Sequence, residues 1–466
     1  MRRLLLAATL AVLIGLAGCQ APGMGHPDGD PAADRIGWEN GYWYDDPVSV
    51  TPDDGLNESE QEAVVSRAMA RVEHVREMEF NDTVPVEVIN RSTYRQESGG
   101  NHSEALERFD NAKFEAMFLV GEDNGSIEEQ ESTRGSTVAG YYSPSKDAIV
   151  IVSDSSTPVV SSERTLAHEL VHALQDQQFG LGNSSAPTRD AYQGRNGLVE
   201  GDAAFTEDRY MSKCGDTWSC VSTNATRGNG SSGGGDIHLG LYILEYFPYS
   251  EGPNFVESLH ERGGWSAVND AYDDLPDGST EVIDAERYPD WEPVNVSVDS
   301  VAGDWEQISP PDRPNYGVLG QTAITASQGY TLYDDYNENG AVISPTAFLN
   351  RYQNGSVNIR QPFNYSIAPA DGWAGGRFVA FDDGDTSDAE TAYVWRTEWD
   401  SAAEAEEFGD AWARLIQHWG GERVAEETYV IDEGPYADAF RLTVSDTTVT
   451  VVNAPERGDL GDFEGV

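Results

Sequence analysis

The sequence predicts an α+β protein in two unequal parts, 41–295 and 296–466. Two observations carry this. The first part holds several runs in which apolar residues recur at helical spacing, with short β-rich runs between them. The second part has a strand–strand–helix rhythm and closes in a β-hairpin. A chain of 466 residues has ample length for a buried core, and 11 Trp, 21 Tyr and 15 Phe supply one. No regular repeat is present.

The elements follow in order. "MRRLLLAATLAVLIGLAGC" places Arg2 and Arg3 before an apolar run, Leu4 to Leu16, that is shorter than the ~20 residues needed to span a bilayer. Residues 1–18 therefore read as a lipoprotein signal peptide. The paired arginines resemble a twin-arginine export signal. "LAGC" resembles a lipobox, which makes Cys19 the lipidated first residue of a mature chain anchored to the outer face of the cell membrane. Residues 19–40, rich in Pro, Gly and Asp, read as a flexible tether.

Helices are expected over Ser59–Glu79 and Glu104–Val120, a strand over Val84–Ile89, and a hairpin over Val138–Val152. Ser161 or Ser162 can cap the next helix, with Glu163 in its first turn, and Gly180 and Gly182 stop it. A further helix starts near Gly197. "NATRGNGSSGGGD" (224–236) is a low-complexity loop. Two helical runs follow, "IHLGLYILEYF" and "NFVESLHERG", with a boundary near Trp291. The second part then carries "RFVAFDDG", "AYVWRTEW", a helix over "SAAEAEEFGDAWARLIQHW" and the hairpin "AFRLTVSDTTVTVVNA".

The formal charge is −52, and of 29 basic residues only Lys113, Lys146 and Lys213 are lysines. Acid in this excess, interleaved with aromatics, excludes nucleic acid as a partner, because phosphate is repelled along the whole surface. It suits a halophilic archaeon, since at molar salt the Debye length is about 3 Å and self-repulsion is screened. Cys214 and Cys220 are the other cysteines, and in an oxidising location they most simply close a small disulfide loop. Eleven N-x-S/T sequons agree with an exposed, glycosylated location.

Chemistry concentrates in "TLAHELVHALQDQ". On a helix, His168 and His172 lie one turn apart and point the same way, so both rings can reach one zinc ion about 2.0–2.1 Å away. Glu169 lies beside them, where it can take a proton from water. Leu166, Leu170, Val171 and Leu174 make the helix a core element. The third ligand is expected from "GLVEGDAAF", with Glu200 favoured and Asp202 and Glu207 as rivals; Gly201, Ala203 and Ala204 allow close helix approach. Asp202 suits a supporting position on a histidine N–H, and Asp176 a similar one or a solvated face.

"HELVH" followed by "EGDA" one helix later resembles the gluzincin class of zinc metallopeptidases. "HELVHALQDQ", "EGDA", "FPYSEGPNFVESL", "GGWSAVNDAY" and "STEVIDAERY" also resemble a family of prokaryotic surface proteins that includes haloarchaeal surface lipoproteins. The first resemblance implies a zincin-like domain over 41–295, a mixed sheet plus the active-site helix, followed by a smaller α+β domain over 296–466. It implies zinc held by His168, His172 and Glu200, with Glu169 activating water for attack on a peptide or protein substrate. In zincins a strand before the metal helix often pairs with substrate backbone, and Asp147–Val152 is the candidate. A donor to the oxyanion is open among Tyr141, Tyr142, His238 and Tyr249. The rival expectation is a surface-binding protein whose zinc is structural or whose peptidase fold is inactive.

Overall fold

The computed structural model describes residue 31 and residues 33–465, apart from 51–55, 98, 101, 154–161, 184–185, 222–236, 300, 312, 335, 337–339 and 385–389. The signal peptide, Cys19, most of the tether, Ser161, the loop 224–236 and the sequons at Asn101, Asn224 and Asn229 lie outside the described residues. The fold is mixed α+β, as the sequence predicts.

Helix α1 (Glu58–Arg76) begins in a capping box, in which Asn57 accepts the Glu60 N–H and Glu60 accepts the Asn57 N–H. Strand β1 (Val86–Asn90), helices α2 (Glu104–Ala116) and α3 (Ser126–Thr137), and the hairpin β2 (Gly140–Ser143) and β3 (Ala148–Ser153) follow. The strands form one mixed sheet in the order β1–β3–β2, with β1 parallel and β2 antiparallel to β3. This corrects the expectation for Asp147–Val152. Residues 148–153 make the central strand, both of whose edges are already paired, so no substrate backbone can add there. The sheet's outer edges belong to β1 and β2.

Next come α4 (Glu163–Phe179), α5 (Arg189–Lys213) and α6 (Leu239–Asp270). The apolar face of α4, including Leu166, Leu170 and Val171, packs with Val64 and Met69 of α1 and Ile149 of β3 in one buried cluster. Helix α5 starts at Thr188, whose side chain caps the Ala191 N–H, earlier than expected. Helix α6 runs unbroken from Leu239 to Arg262, across the point where two helices were expected to separate. Pro248 cannot donate to Leu244 O, but the buried Gln193 Nε2 does so at 2.7 Å, which removes the hydrogen-bond penalty of a helical proline. The geometry breaks only at Gly263–Gly264, where Gly264 has φ 66°. Glycines set the α5–α6 spacing: a Cβ on Gly201 would lie 2.4 Å from Gly252 O, and one on Gly252 2.4 Å from Gly197 O. The close approach expected of Gly201 is therefore made to α6, while Ala203 packs toward α4.

The C-terminal part contains β4 (Glu306–Gln307), α7 (Gly320–Tyr330), β5 (Trp373–Asp382), β6 (Thr391–Trp399), α8 (Ala402–His418), β7 (Glu422–Arg423), β8 (Thr428–Val430), β9 (Ala439–Ser445) and β10 (Thr448–Ala454). Its strands form an antiparallel sheet in the order β4–β5–β6–β10–β9–β8–β7. Helix α8 lies on one face, with Trp395 and Trp412 ring centroids 4.8 Å apart. The largest buried cluster runs from α2, α5 and α6 through α7 to this sheet. Helices α3 and α7 were not expected. The first is rich in Ser, Thr and Gly. The second is buried on all sides, so it has no polar face to create a period.

Asp190, in the first turn of α5, joins three segments. Its carboxylate accepts the Ser279 N–H at 3.1 Å and Oγ–H at 2.5 Å, and its own N–H donates to Val318 O at 3.0 Å. Burial pushes its carboxyl up to about 6 from 3.8, although the Ser279 bonds pull the other way. A raised folded-state pKa means the folded chain binds the extra proton. This group's contribution is complete below about pH 4 and is lost as pH rises to about 6. We expect the parent to lose stability relative to Asp190→Asn over that window, by roughly 3 kcal/mol, in urea titrations run in molar salt.

Candidate metal centre

The histidine helix is fixed at both ends. At its start Ser162 accepts the Arg164 N–H at 3.2 Å. Glu163 is fully buried and gathers four donors: Arg67 at 3.1 Å, Arg71 at 2.6 Å, the Val221 N–H at 2.6 Å and the Tyr210 hydroxyl. At its end Gly180, with φ 72°, donates to Asp176 O at 2.8 Å.

Between these points the side chains converge. His168 Nε2 and His172 Nε2 each lie 3.2 Å from the same atom, Glu200 Oε2. For metal bonds of about 2.0–2.1 Å a tetrahedral site separates its ligand atoms by about 3.3 Å, so this triangle fits one zinc-sized ion. The charge balance points the same way. Two protonated rings with centroids 4.9 Å apart would repel each other across the shared Glu200 oxygen. A divalent cation satisfies two neutral imidazoles and the carboxylate together.

The far side of each ring is held as metal-binding histidines require. His168 Nδ1 donates to Glu207 Oε2 at 3.2 Å, and His172 Nδ1 to Gln175 Oε1 at 2.8 Å. Glu207 also pairs with Arg164. Gln175 Nε2 donates to Val199 O at 2.9 Å and Asp202 Oδ2 at 3.3 Å. Asp202, fully buried, accepts Arg76 Nε at 2.9 Å and the Tyr272 hydroxyl at 2.8 Å. Asp202 thus supports a histidine through Gln175 and not directly. Glu207, the rival ligand, instead orients His168. Asp176 touches neither ring; its carboxylate accepts the Tyr142 hydroxyl at 3.0 Å.

Glu169 is buried, and burial raises its pKa while the two histidines pull it down. The backbone of Tyr142, on the edge strand β2, lies near enough to pull it down slightly as well. Burial also opposes ionisation of Glu200, but the His172 charge and both histidine hydrogen bonds win and hold it far below the usual carboxylate range.

The centre opens into a cleft of about 1160 Å³. Of the four oxyanion candidates only Tyr249 lines it. Its ring stacks 6.2 Å from His168, and the residue is 40% exposed, so its side chain is open to the cleft. The Tyr142 hydroxyl lies between Asp147 at 2.8 Å and Asp176 at 3.0 Å, which share its one proton, Tyr141 packs on Tyr94, and His238 caps α6 by accepting the Leu241 N–H at 3.2 Å. Sequence reasoning missed Tyr242 and Tyr246, which continue a stack from Tyr249 along α6, with centroids 5.3 and 5.9 Å apart. The signal was available: 242, 246 and 249 fall on one helical face. The cleft's Arg164, Arg189 and Arg313 were also missed.

Residues 306–464 match the family model described as a domain of unknown function (DUF8575). No curated protein and no solved structure matches the chain. His168, His172 and Glu200 lie outside the matched segment, but Arg313, Pro314, Tyr316 and Gly317 within it line the cleft.

Changing His168, His172 or Glu200 to Ala should abolish binding of zinc measured by elemental analysis. Gln175→Ala should keep the site but weaken zinc affinity by about 10–100-fold in competition with a chromogenic chelator. Undiminished affinity in Gln175→Ala would remove Gln175 from the supporting role.

Proposed function

We propose that the protein is a zinc-dependent metallopeptidase of zincin-like fold, anchored by lipid at Cys19 to the outer face of the cell membrane. The observation that carries this reading is the convergence of His168 Nε2, His172 Nε2 and Glu200 Oε2 beside a buried glutamate in an open cleft. A structural zinc site has no need of that glutamate or of an opening.

Bound zinc would supply a Lewis acid that lowers the pKa of water and polarises a carbonyl. The remaining chemistry falls to the chain. Glu169 takes a proton from the attacking water, and its raised pKa lets it hold that proton and pass it to the leaving amine. The Tyr249 hydroxyl is the donor best placed to meet negative charge forming on the carbonyl oxygen, beside Glu200. Glu207 and Gln175 hold the two imidazoles in the tautomer that presents Nε2. The cleft exceeds the about 300–1,000 Å³ of small-molecule pockets, which supports a polymeric substrate. The strand β2 borders it through Gly140 and offers an edge for extended backbone. A chain of −52 suits work in molar salt.

Glu169→Gln preserves side-chain size and all three ligand atoms. Zinc content should stay at one per chain, while hydrolysis of a peptide library in molar salt falls by about 10²–10⁴-fold. A folded, zinc-loaded parent that cleaves no peptide would favour the non-catalytic surface protein instead. Mass spectrometry of the membrane fraction should find the mature chain starting at a lipid-modified Cys19; an unmodified Cys19 or an intact Met1 would count against the anchor.

A further inference from the structure

We propose a second metal site, separate from the histidine centre, in which Glu115, Glu122 and Asp438 bind a hard divalent cation, Ca²⁺, between α2 and the C-terminal sheet. The carboxylate oxygens of the three residues lie within 4.8 Å of one another. Glu115 and Asp438 are 5% and 4% exposed, so two carboxylates share a dry pocket. Among the described residues none of the three has an ion-pair partner. Burying uncompensated charge in this way is expensive, and the pocket must take up protons or a cation. Glu115 also stands in the last turn of α2, where the helix dipole is negative and opposes a further anion.

Two other groups point into this pocket independently of the carboxylates. Asn453 and Tyr393 are register partners on β10 and β6, so their side chains leave the same face of the sheet. Both residues are fully buried. The Asn453 amide reaches the pocket, with Nδ2 2.6 Å from Asp438 Oδ2 and 3.4 Å from Glu115 Oε1, while its Oδ1 has no partner. The Tyr393 hydroxyl has none either, and the charges on Glu115 and Asp438 both act on it. A cation gives the Tyr393 hydroxyl a role, its oxygen serving as a further donor beside the carboxylates. The set is all oxygen and irregular, with no nitrogen or sulfur, which suits Ca²⁺ better than zinc or Mg²⁺.

Backbone geometry brings the groups together on purpose-built contacts. Glu122 N–H donates to Pro435 O at 3.0 Å. The neighbouring Gly121 allows this approach, because a Cβ there would lie 2.4 Å from Pro435 O. Burial is the largest cause pushing Glu115 well above the carboxylate range, Asp438 up to about 6 and Glu122 up to about 7, which fits a pocket lacking its counter-charge.

The test is calcium titration of chelator-treated full-length protein in molar KCl, read by calorimetry and by the thermal midpoint. The parent should bind one Ca²⁺ at this site and gain in midpoint. A His168→Ala/His172→Ala background should keep that response, which separates it from the histidine centre. Asp438→Asn should weaken Ca²⁺ binding at least tenfold. Glu122→Gln, altering an exposed side chain, should weaken it too, and covers the case in which Asp438→Asn fails to fold. No calcium binding by the parent overturns the proposal and leaves a carboxyl pair sharing a proton. So does binding that Glu122→Gln or a folded Asp438→Asn leaves unchanged.

Discussion

Three buried arginines on one helix govern the position of the histidines. Arg67, Arg71 and Arg76 of α1 are each 1% exposed. The first two hold Glu163 at the start of α4, and the third holds Asp202 on α5. From Asp202 the chain of bonds passes through Gln175 to His172. Both ends of the metal helix are thus referred to α1. Losing one partner of such a buried pair costs about 3–5 kcal/mol, because the remaining charge has no water to turn to. The placement of the two histidines is accordingly set by buried ion pairs that lie outside the cleft. In a chain with 81 acidic and 29 basic residues, placing these arginines inside leaves the surface still more acidic.

The motif was legible because its information is local. Two histidines four apart on an apolar-flanked helix specify a common direction, and Glu200 was reachable by the return of one further helix. The orienting residues were less legible. Glu207 looked like another ligand, and its role depends on α5 being one unbroken helix that carries it past His168. Gln175 carries no charge and no motif, and its part appears only when α4 and α5 are packed together. Likewise the hairpins of both sheets could be read from alternation and turns, but the pairing β1–β3 is parallel and long-range, so the sequence did not reveal which strand would lie in the middle. The prolines of α6 are a further case. Pro248 reads as a helix end until a glutamine from another helix supplies the missing hydrogen bond.

The C-terminal sheet is part of the same structural problem. Its residues join those of α2, α5 and α6 in the largest buried cluster. The segment just before α7 also closes one wall of the cleft with Arg313 to Gly317. Lys113 sits at that wall paired with Asp110, while Arg189 lies over Phe114 at 5.3 Å with no carboxylate within ion-pair distance among the described residues. The cleft lining thus gathers Lys113, Arg134, Arg164, Arg189 and Arg313 in a chain of formal charge −52.

The loop after α5 links this arrangement to oxidation state. Cys214 and Cys220 are disulfide-bonded, and the loop between them seats Trp218 beneath Arg71, 4.7 Å from its guanidinium. The next residue, Val221, exchanges two hydrogen bonds with Glu163, at 2.6 and 3.1 Å. A crosslink this short restricts the unfolded chain by only ~2 kcal/mol, but it does so at the cap of the histidine helix. With free thiols, one of the four donors to Glu163 hangs on an open strand of chain. The disulfide therefore acts at the N-terminal cap of the histidine helix, and reducing it should loosen that cap before it loosens the rest of the helix.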